Sequence, residues 1–545
     1  MTWQTETVAS SDTYREFLAS MVAVMTSKHV SAVVLNAAGT GYTVGDILTI
    51  SHASGYHDCR LEVLTITGGG GTGPIGTVKI LTGGAFAERV ASAVVGAAAG
   101  SGYVVGDLLK VDVGVGVATE HALFEVATLS GSAVATVTLK WTGGSYTTTP
   151  TTNEAVTEGV SSGFAGDDLA TLDLTMQTII GTTAIAVTGG TGSSGSFDLT
   201  LTQTGWQTLY DRQDHDWGTQ PDNNDRDVVL EGTVSTGDTP IIGFASVMGE
   251  SGALDRYAIC MYGMTAFNPA LALTAQPNIG PLAWTAGTGN GSHILITEEV
   301  AEGNSWWFSA NGRRVYGCVR GNVAGETDSY HTFFSGFMNQ YGTATTSPYP
   351  LLVAGSSYSY NQDTYDSAHT GLAECYQEAT SNGPVYFLRK TDLAWAEVVN
   401  GSVSTVQQTR VMFPLGRLGE STDGPNQIST DDNFRRLGSD GVITSSIRAN
   451  LAVYNYPAPG TNDEYVLLPL TVVDKGDGGG SDDIHTHIAG ELDGCFWTGG
   501  TKADGTAMTS EDYIENAAGD RYRVFPCNSQ SLASRRYQMM IMRED

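Results

Sequence analysis

The amino-acid sequence predicts a mainly β protein. Its parts are an N-terminal amphipathic helix, tandem small β-repeat modules, and a large β-sandwich-like C-terminal domain. Three observations carry this. Val-, Thr- and Ile-rich segments alternate with glycine turns along most of the 545 residues. A block of about 60 residues recurs. Past residue 206, short aromatic strands follow one another with no helical stretch between them, so no parallel βαβ unit is expected.

The helix comes first. Tyr14, Phe17, Leu18, Met21, Val22 and Met25 fall at steps of three and four and trace one face. Ser10 or Ser11 can cap it, with Asp12 in its first turn. Residues 1–30 are read as a docking segment, with Tyr14, Phe17, Leu18, Met21 and Met25 contacting a neighbouring chain; packing on its own domain is the competing reading.

The repeat is next. Ser31-Ala-Val-Val34 and Gly39-Thr-Gly-Tyr-Thr-Val-Gly-Asp-Ile-Leu48 are echoed by Ser92-Ala-Val-Val95 and Gly100-Ser-Gly-Tyr-Val-Val-Gly-Asp-Leu-Leu109, at an offset of 61. Leu61–Ile66 answers to Phe124–Leu129. Residues 31–90 and 91–150 are therefore read as two copies. Gly41 and Gly102 are expected to make the turn, Tyr42 and Tyr103 to cover each small core, and Asp46 and Asp107 to cap the turn that follows. Residues 151–205 are read as a linker (Thr147 to Gly166 being its polar part) and a degraded third copy, built from Ala184–Val187, Thr188–Gly190 and Phe197–Thr202. Residues 206–545 form the C-terminal β-rich domain, in one or two subdomains.

Composition narrows the function. Only 16% of residues are charged, yet 58 acidic residues stand against 27 basic ones, a formal charge of −31. That field repels phosphate backbones, so nucleic acid is not an expected partner. No segment approaches the length of a membrane-spanning helix, and the first residues lack the basic start of a secretion signal. Six scattered cysteines show no zinc spacing and read as buried free thiols.

The chemical motifs are thin. Gly71-Thr-Gly73-Pro-Ile-Gly76 and Gly190-Thr-Gly192-Ser-Ser-Gly195 match the dinucleotide-binding pattern, but each precedes a strand where that chemistry needs a helix; both read as hairpin turns. His485 and His487 point the same way on a strand and could share a transition metal, above all around a trimer axis. The loop Asp474–Asp483 could hold Ca²⁺, although acidic glycine-rich turns are more often solvated. No nucleophile elbow or metalloprotease motif is present, and the expectation is a protein that is not an enzyme and needs no cofactor.

Several stretches, taken in order, resemble virion structural proteins of tailed bacteriophages. They are the Gly39–Asp46 and Gly100–Asp107 modules, Arg226–Gly232, Trp306–Val315, Tyr330–Met338, Ser347–Leu352, Gly490–Trp497 and Tyr522–Phe525. The resemblance implies a multicopy particle component in the tail, collar or baseplate periphery. It would be exposed on the assembled virion, with other virion proteins as partners and a homo-oligomer, trimer favoured. It implies no catalytic residues. The alternative is a receptor-binding fibre or spike that grips host surface polysaccharide, with or without depolymerase activity. Cys318 and Cys495 replace the aliphatic residues common in that pattern, which leaves a disulfide between them open.

Overall fold

The computed structural model describes residues 4–8, 13–68, 70–111, 120–144, 146, 150, 152–158, 169–212, 227–234, 238–248, 256–281, 292–297, 304–323, 326–341, 350–355, 385–388, 395–397, 410–412, 467–474, 487–499, 511–516, 520–526 and 538–544. Among them the protein is mainly β, with several antiparallel sheets and one α-helix, Thr13–Thr26.

The helix does not stand apart. Phe17 through Met25 are buried on every side, as befits a helix whose apolar residues run almost all round. The Phe17 ring meets Trp306 edge-on at 5.5 Å, with Phe308 and Phe333 each at 6.0 Å. Two sheets share this core. A five-stranded sheet, running in order from Trp206–Arg212 to Ser292–Thr297, supplies Trp206, Leu230, Phe244 and Met261. A seven-stranded sheet around Asn304–Asn311, Arg314–Val323 and Glu326–Phe337 supplies Trp306, Phe308, Val315 and Phe333. The chain's first strand, Gln4–Val8, pairs antiparallel with Asn304–Asn311 at that sheet's edge. Nothing in Gln-Thr-Glu-Thr-Val marks a strand, since it carries no apolar alternation.

The run Ser305-Trp-Trp-Phe308 is explained by burial of both sheet faces. Trp306 and Phe308 look toward the helix. Trp307 looks the other way, onto Phe525 of a third sheet at 5.4 Å. Polar bonds lock that second face. Arg314, wholly buried, pairs with Asp493 at 3.0 Å and lies over the Tyr316 ring, and Arg320 and Tyr330 both reach Glu511.

Between the helix and Trp206 the chain leaves this large domain and comes back. Departure and return lie side by side: Lys28 pairs with Gln203, and both the amide and the hydroxyl of Thr204 bond the Ser27 carbonyl. Two β units lie beyond this neck. The first has its core in Val30, Tyr42, Leu48, Leu61, Val63, Phe86 and Phe197. The second has a separate one in Val90, Tyr103, Leu109, Phe124, Val126 and Leu172.

Their connectivity differs from the sequence reading in two ways. The segment taken as a degraded third copy belongs to the first unit: Ser193–Gln203 pairs along the whole of Lys28–Thr40, and Ile185–Ala186 pairs with Phe197 and Ser196. The matching strands of the second unit are Glu154–Glu158 and Thr171–Gln177, the latter pairing with Arg89–Val95, so part of the supposed linker is ordered sheet. The second unit, residues 88–177, is thus enclosed within the first. Such an insertion is sterically simple because its ends are neighbours, Arg89 lying opposite Gln177.

The offset of 61 is also not constant. It holds in the turn, but in the opening strand Val34 faces Asp198 while Val94 faces Asp173. Val34 therefore corresponds to Val94, and the two identical Ser-Ala-Val-Val tetrapeptides are one residue out of register. The burial patterns agree, since Val30 and Val90 are buried while Val34 and Val94 are exposed. A one-residue slip would turn every side chain to the opposite face.

Candidate interaction surface

The Gly-Tyr-x-Val-Gly-Asp turn is built the same way in both units. Gly39, Gly41 and Gly45 have φ of +57°, +82° and +90°; Gly100, Gly102 and Gly106 have +60°, +86° and +99°. At Gly39 the need for glycine is twofold, since a Cβ there would press into the Ser193 carbonyl and the Tyr42 ring. Asp46 accepts the Thr43 amide at 2.9 Å and Asp107 the Val104 amide at 2.8 Å, so each closes the turn that leads into it and not, as expected, the one that follows. The chain then joins the next strand by matched pairs of bonds, Gly45 and Asp46 to Val63, Gly106 and Asp107 to Val126. Tyr42 and Tyr103 are buried at 1% and 2% exposure. Each hydroxyl accepts a backbone amide from the closing half of its own unit, Gly195 at 3.1 Å and Ala170 at 3.3 Å.

A second shared feature was not read from the sequence. Asp198 accepts the amide of Ala184 and Asp173 that of Asn153, and both recipients are non-glycine residues at positive φ, +52° and +55°. The signal was present as Ala155-Val-Thr157 and Asp173-Leu-Thr175 against Ala186-Val-Thr188 and Asp198-Leu-Thr200. It lies at offsets of 31 and 25 residues, unlike the 61 that relates the two turns.

The turns expose apolar side chains in matching places. Val44 and Val105, one before each turn's last glycine, are both 61% exposed; Val34 and Val94 are both 65% exposed. Charge is scarce in the first unit, which carries Val34 and Val44. The first unit holds Asp46, Asp58, Glu62 and Asp198 against Lys28, Arg60 and Lys79. Part of this charge is engaged by the large domain, where Arg521 bonds Glu62 at 2.8 Å and Lys79 meets Glu515 at 3.4 Å.

Asp46 also accepts the Thr43 hydroxyl and the amide and hydroxyl of Thr191. Partial burial alone would raise its pKa, but the Thr43 and Thr191 amides and both threonine hydroxyls outweigh this and hold it at about 2. A carboxylate with a lowered folded pKa stabilises the fold above its ordinary value of 3.8, and that contribution disappears as pH falls toward 2. Asp46→Asn should therefore melt below the wild type by on the order of a few degrees at neutral pH. The gap should close between about pH 4 and pH 2. A gap independent of pH, measured by calorimetry, would show that the carboxylate charge is not what holds the turn.

The other residues singled out from sequence fall as follows. Phe17, Leu18, Met21 and Met25 lie in the chain's own core at 0% exposure and leave no surface for a neighbouring chain; the side chain of Tyr14 lies outside the described residues. His485 lies outside them too. His487 begins a strand, its backbone opposite Asp474, and the rest of the Asp474–Asp483 loop is not described. Among the described residues no group of three or more His, Cys, Asp or Glu could hold a metal ion. Cys318 and Cys495 are free buried thiols, not a disulfide, and burial pushes both well above the ordinary thiol value. Both dinucleotide-like glycine runs lead into strands, Ile75–Thr82 and Ser193–Gln203. No described helix is long and apolar enough to cross a membrane.

No protein-family model matches the chain, and no curated protein does.

Proposed function

We propose that this protein is a structural component of a tailed-phage particle, present in several copies, which makes its contacts through the two β units. On this reading residues 28–203 are one module duplicated and nested, carried by a large β-sandwich domain. The observation that carries it is the matched exposure of Val34 with Val94 and of Val44 with Val105. Isolated exposed valines mean little; the same positions left apolar and open in two copies fit contact surfaces. The near-neutral first unit supports this, because in a chain of net charge −31 it is where another acidic protein can approach at least cost. The aromatic strands support it as well. Trp306, Trp307, Phe308, Phe333 and Phe334 are spent on the chain's own core and line no open groove of the kind a glycan would need.

The test is a fourfold change, Val34, Val44, Val94 and Val105 each to Lys, a charge that at 34 and 94 stands opposite Asp198 and Asp173 without repulsion. The purified variant should melt within about 1–2 °C of the wild type, since exposed positions tolerate substitution. It should fail to appear in purified particles by mass spectrometry, where the wild type is found. Equal incorporation, or absence of the wild type from particles, would sink the proposal. Released oligosaccharide on incubation with host capsule would transfer the reading to a depolymerase.

A further inference from the structure

One six-residue segment, His52–His57, a turn running into the short strand Gly55–His57, joins three passages of the chain. Ser54 serves both connections to the second unit: its carbonyl accepts the Ala87 amide at 3.1 Å and its hydroxyl accepts the Ile180 amide at 3.0 Å. Next to it, the Ala53 carbonyl accepts Arg89 Nε at 2.8 Å, and His52 Nδ1 meets the Ser54 hydroxyl at 2.9 Å. On the opposite side the segment touches the large domain. His57 Nε2 lies 2.9 Å from Ser20 Oγ of the helix, and Tyr56 packs against the core in which that helix sits.

We infer that this segment is an acid-sensitive joint, in which proton uptake by His57 loosens the first unit from the helix. The two-unit arm, held to the large domain also by Glu62–Arg521 and Lys79–Glu515 at its surface, swings about the neck at Ser27 and Thr204 once those pairs give way. The imidazole is buried. Among the described residues the helix offers it the neutral Ser20, the neighbouring strand offers Ala85 and Phe86, and the Arg89 guanidinium, which lies over the Tyr56 ring at 5.1 Å, sets a like charge against its protonated form. An added proton can still donate to Ser20 Oγ. What it creates is a buried cation facing another cation, and opening the joint hydrates both.

The pKa directions support the geometry. Burial, and after it the Arg89 charge, hold His57 at about 3 against an ordinary 6.5. The sign follows: the closed joint is fully favoured above about pH 6.5, and its advantage shrinks as pH falls toward the folded value. His29, on the neck strand, is held at about 4 by burial and adds to the effect. His331 is also held at about 4 by burial, but in the seven-stranded sheet, where protonation would attack the large domain instead.

The experiment is small-angle scattering on the full chain from neutral pH to about pH 4.5, with near-ultraviolet circular dichroism followed in parallel. The maximum dimension should grow as pH falls below about 6.5 while the tryptophan signal persists. His57→Gln, which keeps a hydrogen bond to Ser20 within reach, should shrink the expansion and move its onset to lower pH, the remaining dependence being that of His29. Arg89→Gln should move the transition to lower pH by roughly half a unit to one unit. The inference is overturned by scattering that does not change, by an unaltered transition in His57→Gln, or by expansion that coincides with loss of the tryptophan signal and is removed by His331→Gln.

Discussion

Met21→Asp should abolish cooperative folding, and deletion of residues 1–27 should do the same. Met21 is 0% exposed, on a helix enclosed by two sheets. A carboxylate there would have no water and no described partner, a cost larger than the whole stability of most domains can absorb. Phe17→Ala gives a graded version. Losing the ring that meets Trp306, Phe308 and Phe333 should cost about 3–5 kcal/mol, a large fraction of the stability but not all of it. The deletion also bares the edge of the seven-stranded sheet that Gln4–Val8 now covers, which invites aggregation. Gel filtration, near-ultraviolet circular dichroism and calorimetry read the outcome. A truncated chain that stayed folded and merely lost oligomeric order would restore the docking role to the helix.

Tyr42→Ala and Tyr103→Ala remove equivalent side chains, and their consequences should nevertheless differ. Each truncation empties the centre of a small core and strands a buried backbone amide, Gly195 or Ala170, for a loss of about 3–5 kcal/mol in its own unit. The second unit has its own core and contiguous strands, so Tyr42→Ala should leave it folded. The reverse does not hold. The first unit is closed by Ser193–Gln203, and the chain between its halves is kept short only because the folded second unit brings Arg89 next to Gln177. If the second unit melts, that connection becomes a loop of about 90 residues, and closing it costs the first unit about 3 kcal/mol more. Tyr103→Ala should thus destabilise both units and Tyr42→Ala only one. Hydrogen exchange at the amides of Val63 and Val126 separates the two. Equal loss of protection at both sites in both variants would mean that the units melt as one body.

Much of the β character was legible in the chain because strand and turn chemistry is local. Gly41, Tyr42 and Asp46, with Gly102, Tyr103 and Asp107, were assigned roles within a few residues of one another, and the bonds they make within the turn span the same few residues. The apolar face of the helix was legible for the same reason. Its burial partner was not: Phe17 meets Trp306, 289 positions further on, and a helix periodic enough to dock on a neighbour looks no different from one that fills its own core. Register was hidden as well. Two identical tetrapeptides, Ser31–Val34 and Ser92–Val95, lie in equivalent strands of two different sheets but one residue out of register, because the strand opposite decides which side chain faces the core, and letter identity does not.

The sequence by itself determined that this is a mainly β chain, with an N-terminal helix, glycine turns repeated at a fixed spacing, and a net charge of −31. Only the tertiary structure decided that the second unit lies inside the first, that Ser193–Gln203 closes the first unit and starts no third, and that the helix belongs to the large domain. It also decided that Val34 and Val94, with Val44 and Val105, are the matched apolar positions left open. The physical reason is common to all of these. Turns and periodicities arise from contacts a few residues long, whereas strand partners and burial are set by the search for mutual apolar cover across the whole chain.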